Sequence, residues 1–561
     1  MSAVTISTEV HAPSPQGAPF VVERRSFPRG VRFASYESAG YDIAQDRVVD
    51  WPMIYILAND HEAYVGQTTS VSRRMEQHAA NPEKVGFTDC NIIYNEELNR
   101  SVLDDYEHRL IELMNADGRY TVTNRNDGLT DYRYFGKSQY AAMFESLWSE
   151  LRRLELADHS IAELEASEVF KYSPFKALNA DQRVALDRVL EAVDKPDAGP
   201  VVVEGMPGTG KTVLAVYLLK ALRDNEQFAG LEVGILEPVT SLRETLKKSL
   251  KGVSGLSPKD IVGPYDLRTR TFDVLLVDET HRLKQQKNLG QQGGLYKRVN
   301  REIGLPENGP TMLDWVLKRA KTPVLFYDPL QVVGPAGIGP TQMRASLGPA
   351  FDASIELRSQ MRVKGGEGYL NHVSAMLRGG DPASFDASSY EFVLHDDFAD
   401  FVAAFTACLE ENSLTRMVAG YAWKWVTKDV SREADPDLYD ITIDGIGLRW
   451  NCCQENWVGR GFDDPDIARE VGCIHSIQGY DLSYAFVIVG PDLVLGPDGL
   501  PKADKSSYFD RNGKATATDA DLDAYIRNIY YVLLTRGVLG THVYVCDPAV
   551  RERFARYISQ Q

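Results

Sequence analysis

The sequence predicts an α/β chain: two parallel-sheet domains, each with helices on both sheet faces, follow a small α+β domain and a helical linker. Three observations carry this. From about residue 172 onward, short apolar runs at 201–203, 233–236, 274–277, 324–326, 486–489 and 542–545 alternate with helical stretches and read as buried parallel strands. Residues 53–57 (MIYIL), the turn-like Asn59-Asp60 and residues 63–66 (AYVG) read as a β-hairpin, with a helix starting after Thr69. Residues 139–156 place Tyr140, Met143, Phe144, Leu147, Trp148, Leu151 and Leu154 on one helical face, as expected of a packing helix that separates the front domain from the rest. The expected divisions are therefore an extension at 1–50, a front domain at 51–130, a helical linker at 131–170 and two sheet domains at 171–348 and 349–561. The first ~20 residues, rich in Ser, Pro, Ala and Gly, are expected to be disordered.

Composition narrows the class. The chain has 561 residues, 43% hydrophobic and 25% charged, which suits a soluble globular protein of three or four domains. No run approaches the ~18 apolar residues of a membrane span, and no secretory pattern opens the chain. The six cysteines lack zinc spacing or a CxxC pair, so reduced thiols in a cytoplasmic protein are expected, with adjacent Cys452 and Cys453 a poor disulfide candidate. The net charge of −18 argues mildly against nucleic acid, yet residues 240–301 hold thirteen Lys/Arg against six Asp/Glu. That stretch reads equally as a strand-binding patch or a solvated face.

Residues 205–212 read GMPGTGKT, between the strand at 201–203 and a helix expected over 213–222. Glycines let backbone N–H groups curl around a phosphate, and the helix N-terminus adds partial positive charge. Gly205, Gly208, Thr209 and Gly210 would form the cradle of an ATP site. Lys211 would reach the β and γ phosphates, and Thr212 would hold Mg²⁺. Further on, VLLVDETH at 274–281 is an apolar strand ending in two carboxylates. It puts Asp278 beside the Mg²⁺ shell and Glu279 where it can take a proton from the attacking water. Alone, this stretch could be an acidic turn; the upstream phosphate loop argues otherwise.

At this point the chain resembles superfamily 1 helicases over residues 178–548. NADQ at 179–182 is similar to the adenine-reading motif ending in Gln182, and YDPLQ at 327–331 to the third motif, with Gln331 as the γ-phosphate sensor. LRSQMR at 357–362 is similar to the fourth, with Arg362 contacting phosphate. IHSIQGYD at 474–481 resembles the fifth, with Gln478, Gly479 and Asp481, and YVLLTRG at 531–537 the sixth, ending in an arginine finger, Arg536. The resemblance implies two RecA-like motor domains, ATP and Mg²⁺ as cofactors, and Glu279, Arg362 and Arg536 as catalytic groups. An arginine finger on the second domain completes the site on closure. Tyr327 departs from the glycine usual in the third motif. QMRVKGGEGY at 360–369, AGYAW at 419–423 and NIYYVLLTR at 528–536 are similar to a narrower bacterial group, helicase-like ATPases related to the Schlafen motor. Motif spacing leaves little room for large accessory subdomains, with residues 284–308 the one clear insertion in the first motor domain. Translocation or an ATP-gated clamp therefore stands beside strand separation.

In the front domain, MIY at 53–55, YVG at 64–66, Arg74, His78, Glu107 and Asn124 resemble the GIY-YIG endonucleases over residues 51–128. The resemblance implies a metal-dependent nuclease. Glu107 would hold one divalent metal (Mg²⁺ or Mn²⁺), Arg74 would stabilise the pentavalent phosphate, and Tyr55 or Tyr64, with His78, would activate water. Asn124 completes the set. Such cleavage needs a metal-polarised phosphate, a balancing cation and a poised base. Arg74 and His78, four apart on a helix, share one face. Met53 stands where the first triplet usually has glycine. Trp423, Trp425, Trp450 and Trp457 could stack bases, but core packing is the commoner fate of tryptophan. His61 and His108 fit no metal spacing.

Three functions follow. The first is a nucleic-acid-dependent ATPase feeding a strand to an attached nuclease, with DNA favoured over RNA and a role in restriction or phage defence suggested by analogy. The second is an ATP-gated nucleic-acid-binding switch with a silent or regulated nuclease. The third is an RNA- or tRNA-cleaving enzyme. None involves a membrane, and an oligomer is left open.

Overall fold

The computed structural model describes residues 9–10, 20–27, 51–95, 97–124, 134–165, 167, 170, 172–195, 199–251, 253–287, 289–412, 414–452, 457–460, 464, 466–477 and 480–558. The chain divides into two compact units: Met1–Leu186 with Thr212–Ile235 and Thr240–Val262, and Asp187–Lys211 with Leu236–Val239 and Gly263–Gln561. Among the described residues no helix is long and apolar enough to cross a membrane.

The first unit is built on a sheet of six strands: β1 (Glu9–Val10), β2 (Val21–Ser26), β3 (Met53–Ala58), β4 (Glu62–Thr68), β5 (Asp89–Tyr94) and β6 (Thr121–Val122), in the order β1-β2-β5-β3-β4-β6. The expected hairpin forms, with Tyr55 opposite Gly66 and Leu57 opposite Tyr64. All six residues of β3 are buried, so its apolar run shows no alternation. Its faces still separate by period two. Ile54 and Ile56 pack with Leu103, Tyr106 and Leu110 of the helix Arg100–Asp117. Met53, Tyr55 and Leu57 pack with Val71 and Met75 of the helix Val71–Ala80.

Two expectations are corrected here. The extension at 1–50 is not wholly outside the front domain, because β2 pairs with β5 along its whole length and Glu9–Val10 pairs with β2. The rest of the stretch expected to be disordered, residues 1–8 and 11–19, lies outside the described residues. The expected separator helix runs Lys137–Arg153, and its Phe144, Leu147, Trp148 and Leu151 belong to the same core as Ile54 and Leu110. An apolar face at helical spacing says that a helix packs, not against what, so this helix is part of the front body and not a linker.

The motor region begins with β7 (Val201–Gly205), β8 (Val233–Leu236), β9 (Ile261–Val262), β10 (Phe272–Val277), β11 (Ala320–Tyr327) and β12 (Ile355–Leu357). In the second unit the order β12-β7-β11-β10 is parallel throughout. Because Leu357 pairs with Gly205, β12 closes the first motor sheet, and the boundary expected at 348/349 falls too early. The second sheet contains β13 (Glu391–His395), β14 (Arg416–Ala419), β15 (Ile441–Ile443), β16 (Ile446–Trp450), β17 (Glu470–Gly472) and β18 (Leu482–Val489). After the antiparallel pair β19 (Leu493–Leu495) and β20 (Pro501–Ala503), β21 (Gly537–Val545) completes the order β13-β21-β18-β14-β17-β16-β15. Only β15–β16 is antiparallel within it. The insertion at 284–308 is folded down: Tyr296 is buried, donates to the carbonyls of Lys284 and Pro310, and packs 4.5 Å from Trp315. Parallel sheets present ligands with the carboxyl ends of their strands; the phosphate loop after β7, Asp278 and Glu279 after β10 and Asp328 after β11 stand there, whereas Asp481 and Arg536 come just before β18 and β21.

Candidate functional site

At the end of β7 the chain turns through Gly208 and Gly210 at φ +83° and +77°, conformations that a side chain would strain. Gly208 has a second constraint, because a Cβ there would collide with the Gln360 amide oxygen. The stretch after β12 lies against the loop: Met361 N donates to Gly208 O at 2.9 Å and Gln360 Nε2 to Pro207 O at 2.6 Å. Lys211 opens the helix Lys211–Asp224 and is 6% exposed. Its Nζ donates to Gly205 O at 2.6 Å and Met206 O at 3.0 Å, and lies 3.6 Å from Asp328 Oδ2.

At the end of β10, Asp278 is fully buried, and its N–H donates to Leu236 O at 3.0 Å. Glu279 follows in the left-handed region at φ +45°, a strained conformation typical of functional turns. Its Oε2 lies 2.8 Å from His281 Nε2. Burial alone would raise the Glu279 pKa, but His281, Lys211 and Arg282 outweigh it and hold the carboxyl well below its usual range. Beside this pair stands a carboxyl not singled out from sequence. Glu237, just after β8, is fully buried and accepts from Val239 N at 2.6 Å. Burial, with Asp278 and Glu279 nearby, drives its pKa well up and favours the protonated acid. The available signal was its place at the end of an apolar strand, the same place that marks Asp278.

The later motifs converge through side chains. Gln331 Nε2 donates to Asp328 Oδ2 at 2.7 Å, and Arg536 Nη2 donates to Gln331 Oε1 at 3.2 Å. A continuous polar path thus runs from Lys211 through Asp328 and Gln331 to Arg536. Arg536 is 2% exposed, and burial together with the nearby Arg362 charge lowers its pKa to about 10. Arg362 pairs with Asp481. Tyr327, the departure in the third motif, is fully buried, with its hydroxyl 3.3 Å from Ile338 O, and serves the core. Gln182 is fully buried and exchanges hydrogen bonds with Asn179, bracing the start of its own helix. Gln478 and Gly479 lie outside the described residues, as does Cys453. Trp450 and Trp457 are core residues, whereas Trp425 is 36% exposed.

In the first unit, the Tyr55 hydroxyl lies 2.7 Å from His78 Nε2 and accepts from Arg74 Nε at 3.0 Å. One turn of helix thus delivers both groups to one phenol. Gly66 is required beneath it, since a Cβ there would collide with the Tyr55 hydroxyl. The Tyr64 ring lies 5.4 Å from His78 and carries Lys84 Nζ at 3.3 Å above its face. Lys84, 8% exposed, was not singled out from sequence. Burial, then Arg74 and Lys84, lower the His78 pKa to about 4, so its imidazole is neutral at neutral pH. Burial, then Tyr64, push the Tyr55 phenol up, and Arg74 only partly offsets this. Glu107, half-buried on the helix Arg100–Asp117, acts electrostatically on Tyr55. Among the described residues no group of three or more His, Cys, Asp or Glu could hold a metal ion.

Asn124 is tied to the hairpin: its Oδ1 accepts from Val65 N at 3.0 Å and its Nδ2 donates to Val65 O at 2.8 Å. His108 likewise binds Phe175 O at 2.8 Å and is structural.

A family model described as Schlafen group 3, DNA/RNA helicase domain, matches residues 200–547, more than half of the chain. The chain belongs to the Schlafen group 3 helicase family. The matched span begins just before β7 and ends just after β21, so it encloses the phosphate loop, the Asp278–Glu279 pair and both arginines. This Schlafen group 3 domain is a helicase-like P-loop NTPase, and its fold implies ATP and Mg²⁺. An uncharacterized protein of Saccharomyces cerevisiae is 26% identical over 433 residues, covering 68% of this chain and 90% of its own. Among solved structures, the arterivirus nonstructural protein 10 helicase is 14% identical (TM-score 0.29), covering 64% of this chain and 61% of its own. A DEAD box protein from Methanococcus jannaschii is 13% identical (TM-score 0.27), covering 72% and 95%. The chain spans about three fifths of the arterivirus helicase.

Proposed function

We propose that this protein is a nucleic-acid-dependent ATPase that moves along, or clamps, a strand. The observation that carries the reading is the path Lys211–Asp328–Gln331–Arg536. It ties the group that would grip the phosphates to the arginine that would balance charge on the transferring phosphoryl. Lys211, Arg362 and Arg536 supply cations, and Glu279, held as the anion by His281, is suited to accept the proton of the attacking water. Thr212 and Asp278 each carry a hard oxygen of the kind that Mg²⁺ takes, and the ion would supply positive charge for the phosphates of the nucleotide. A cleft of about 390 Å³ lined by His281, Arg282, Gln331, His475 and Asn512 adjoins the same motifs and suits a strand that senses hydrolysis. The test is the ATPase rate with and without single-stranded DNA, duplex DNA and RNA. Strong stimulation by one polymer, DNA being the expected one, supports the motor. An unchanged rate with nucleotide-dependent binding favours the switch.

A second reading concerns the first unit: a metal-dependent endonuclease of the GIY-YIG kind, with Glu107 as metal ligand. It is supported by the convergence of His78 and Arg74 on Tyr55, with Tyr64 and Lys84 alongside. Cleavage of DNA and RNA in Mg²⁺ and Mn²⁺ tests it, and a pure preparation that cuts neither overturns it. Paired with the motor, such an activity would suit restriction or phage defence.

A further inference from the structure

The helix Asp519–Leu534 ends just before Thr535 and Arg536, so whatever fixes the helix also aims that arginine. Its last turn is held by Tyr369, whose hydroxyl donates to Leu534 O at 2.7 Å. Further back, about 9 Å along the axis from Leu534, Asn528 is 8% exposed and uses both ends of its side-chain amide. Its Nδ2 donates to Val332 O at 2.8 Å, and its Oδ1 accepts from Arg378 Nη2 at 2.6 Å. An amide donates and accepts at once, which a carbonyl on one side and a guanidinium on the other require.

These partners bring the helix to the phosphate site. Val332 directly follows Gln331, the residue to which Arg536 Nη2 donates at 3.2 Å. The short turn Pro329–Gln331, with Val332 at its end, is thus gripped at two points, by Asn528 and by Arg536. Tyr531, one turn on from Asn528, shares its face. The Tyr531 hydroxyl lies 3.4 Å from Met206 Sδ, and Met206 O accepts from Lys211. Arg378 completes the contact, 5.0 Å from the centre of the Tyr531 ring. Apolar packing alone would let this helix slide or turn, whereas a buried amide shared between two fixed partners selects one register against the turn.

We propose that Asn528 is a positioning residue for Arg536: it sets the helix so that the guanidinium meets Gln331 and, with nucleotide bound, the transferring phosphoryl. The inference rests on Arg536 acting as the finger of the proposed ATPase. A shift of about 1 Å in a group that stabilises charge can lower a rate about a hundredfold. The loss is therefore expected in turnover and not in nucleotide binding.

The test is ATP turnover and ATP affinity of the full chain carrying Asn528→Ala, Asn528→Asp, Arg536→Ala, or Asn528→Ala together with Arg536→Ala. Asn528→Ala should lower turnover about tenfold to a hundredfold, with ATP affinity within about twofold of the parent. Asn528→Asp keeps the side-chain volume and an acceptor for Arg378 but has no N–H for Val332. It should lose turnover to a similar degree, and it decides the matter if the alanine variant folds poorly. In the Arg536→Ala background the same alanine change should lower turnover by less than about twofold, because a positioning residue has no effect once the group it positions is gone. A residue that serves only the fold would lower it by the same factor with or without Arg536. Parent-like turnover in either Asn528 variant, an equal further loss in the double variant, or ATP affinity that falls along with turnover overturns the inference. If Arg536→Ala turns over like the parent, the finger and this inference fail together; a loss in Arg536→Ala with none at Asn528 overturns the inference alone. The unstimulated rate suffices for each comparison, so an ATPase that no polymer stimulates sinks the motor and leaves the role of Asn528 standing.

Discussion

The phosphate site of the second unit and the tyrosine cluster of the first both bury polar groups, but they solve the problem differently. Around the phosphate loop charged groups face each other, Lys211 with Asp328 and Arg362 with Asp481, and the Glu279 carboxylate lies against His281. They come from strand ends spread from Gly205 to Arg536. In the tyrosine cluster the centre is neutral, a phenol and an uncharged imidazole, with Arg74 and Lys84 at its sides. It is assembled from one hairpin and one helical turn. Charged pairs can trade partners when a polyphosphate arrives, whereas a neutral centre has no charged partners to exchange. The first site is suited to change with nucleotide state, the second to remain fixed.

Silencing each site separately should give the largest effects. Lys211→Ala and Glu279→Gln should each abolish ATP hydrolysis. The first should also weaken nucleotide binding by losing a charge-assisted contact, while the second traps bound ATP. Equal loss of binding in the two variants would sink these roles. Glu107→Ala should eliminate any metal-dependent cleavage and leave ATPase turnover unaltered, and full cleavage in that variant would remove the nuclease reading. Next in size, Arg536→Ala should lower ATP turnover by ~10³-fold or more with a much smaller change in ATP affinity. Turnover within about threefold of the parent would mean that the polar path ending at Arg536 has no part in hydrolysis.

Gly66→Ala should destabilise the first unit by about 1–3 kcal/mol, because the new methyl displaces the Tyr55 hydroxyl. It should also remove cleavage without replacing any of the residues assigned to the chemistry. Denaturant unfolding followed at the first unit would show this, and parent-like stability would mean that the ring moves aside freely. The smallest effect is shared. His78 in the first unit and His542 in the second both have pKa values lowered to about 4 by burial. Each binds its proton more readily when unfolded, near 6.5. The stability it gives is therefore full above pH 6.5 and declines as pH falls toward 4. His78→Gln should flatten that decline for the first unit alone; equal flattening in both would argue against two separate bodies.

What the sequence made legible follows from how local each signal is. The phosphate loop and Asp278–Glu279 stand directly after apolar strands, so strand, turn and chemistry could be read together. The hairpin register that sets Tyr55 against Gly66 was equally local. Glu237 was missed because one carboxyl after a strand looks like a surface residue until its neighbours in space are known. The hydrogen bonds of Asn124 to Val65 could not be read from sequence, because resemblance transfers residue type but not hydrogen-bond partners. The helix Lys137–Arg153 was correctly seen as amphipathic and wrongly seen as a spacer, since periodicity does not name the surface it covers.

The stretch from β12 to Arg362 serves the sheet and the phosphate loop at once. Its strand finishes the first motor sheet, and its next residues, Gln360 and Met361, form the wall against which Gly208 is shaped. A truncation ending at residue 348 would therefore remove an edge strand and a side of the phosphate loop together. It would leave a fragment that retains every residue of GMPGTGKT and yet grips nucleotide poorly. Extending the same fragment to residue 363 should restore much of that grip, without supplying the arginine finger.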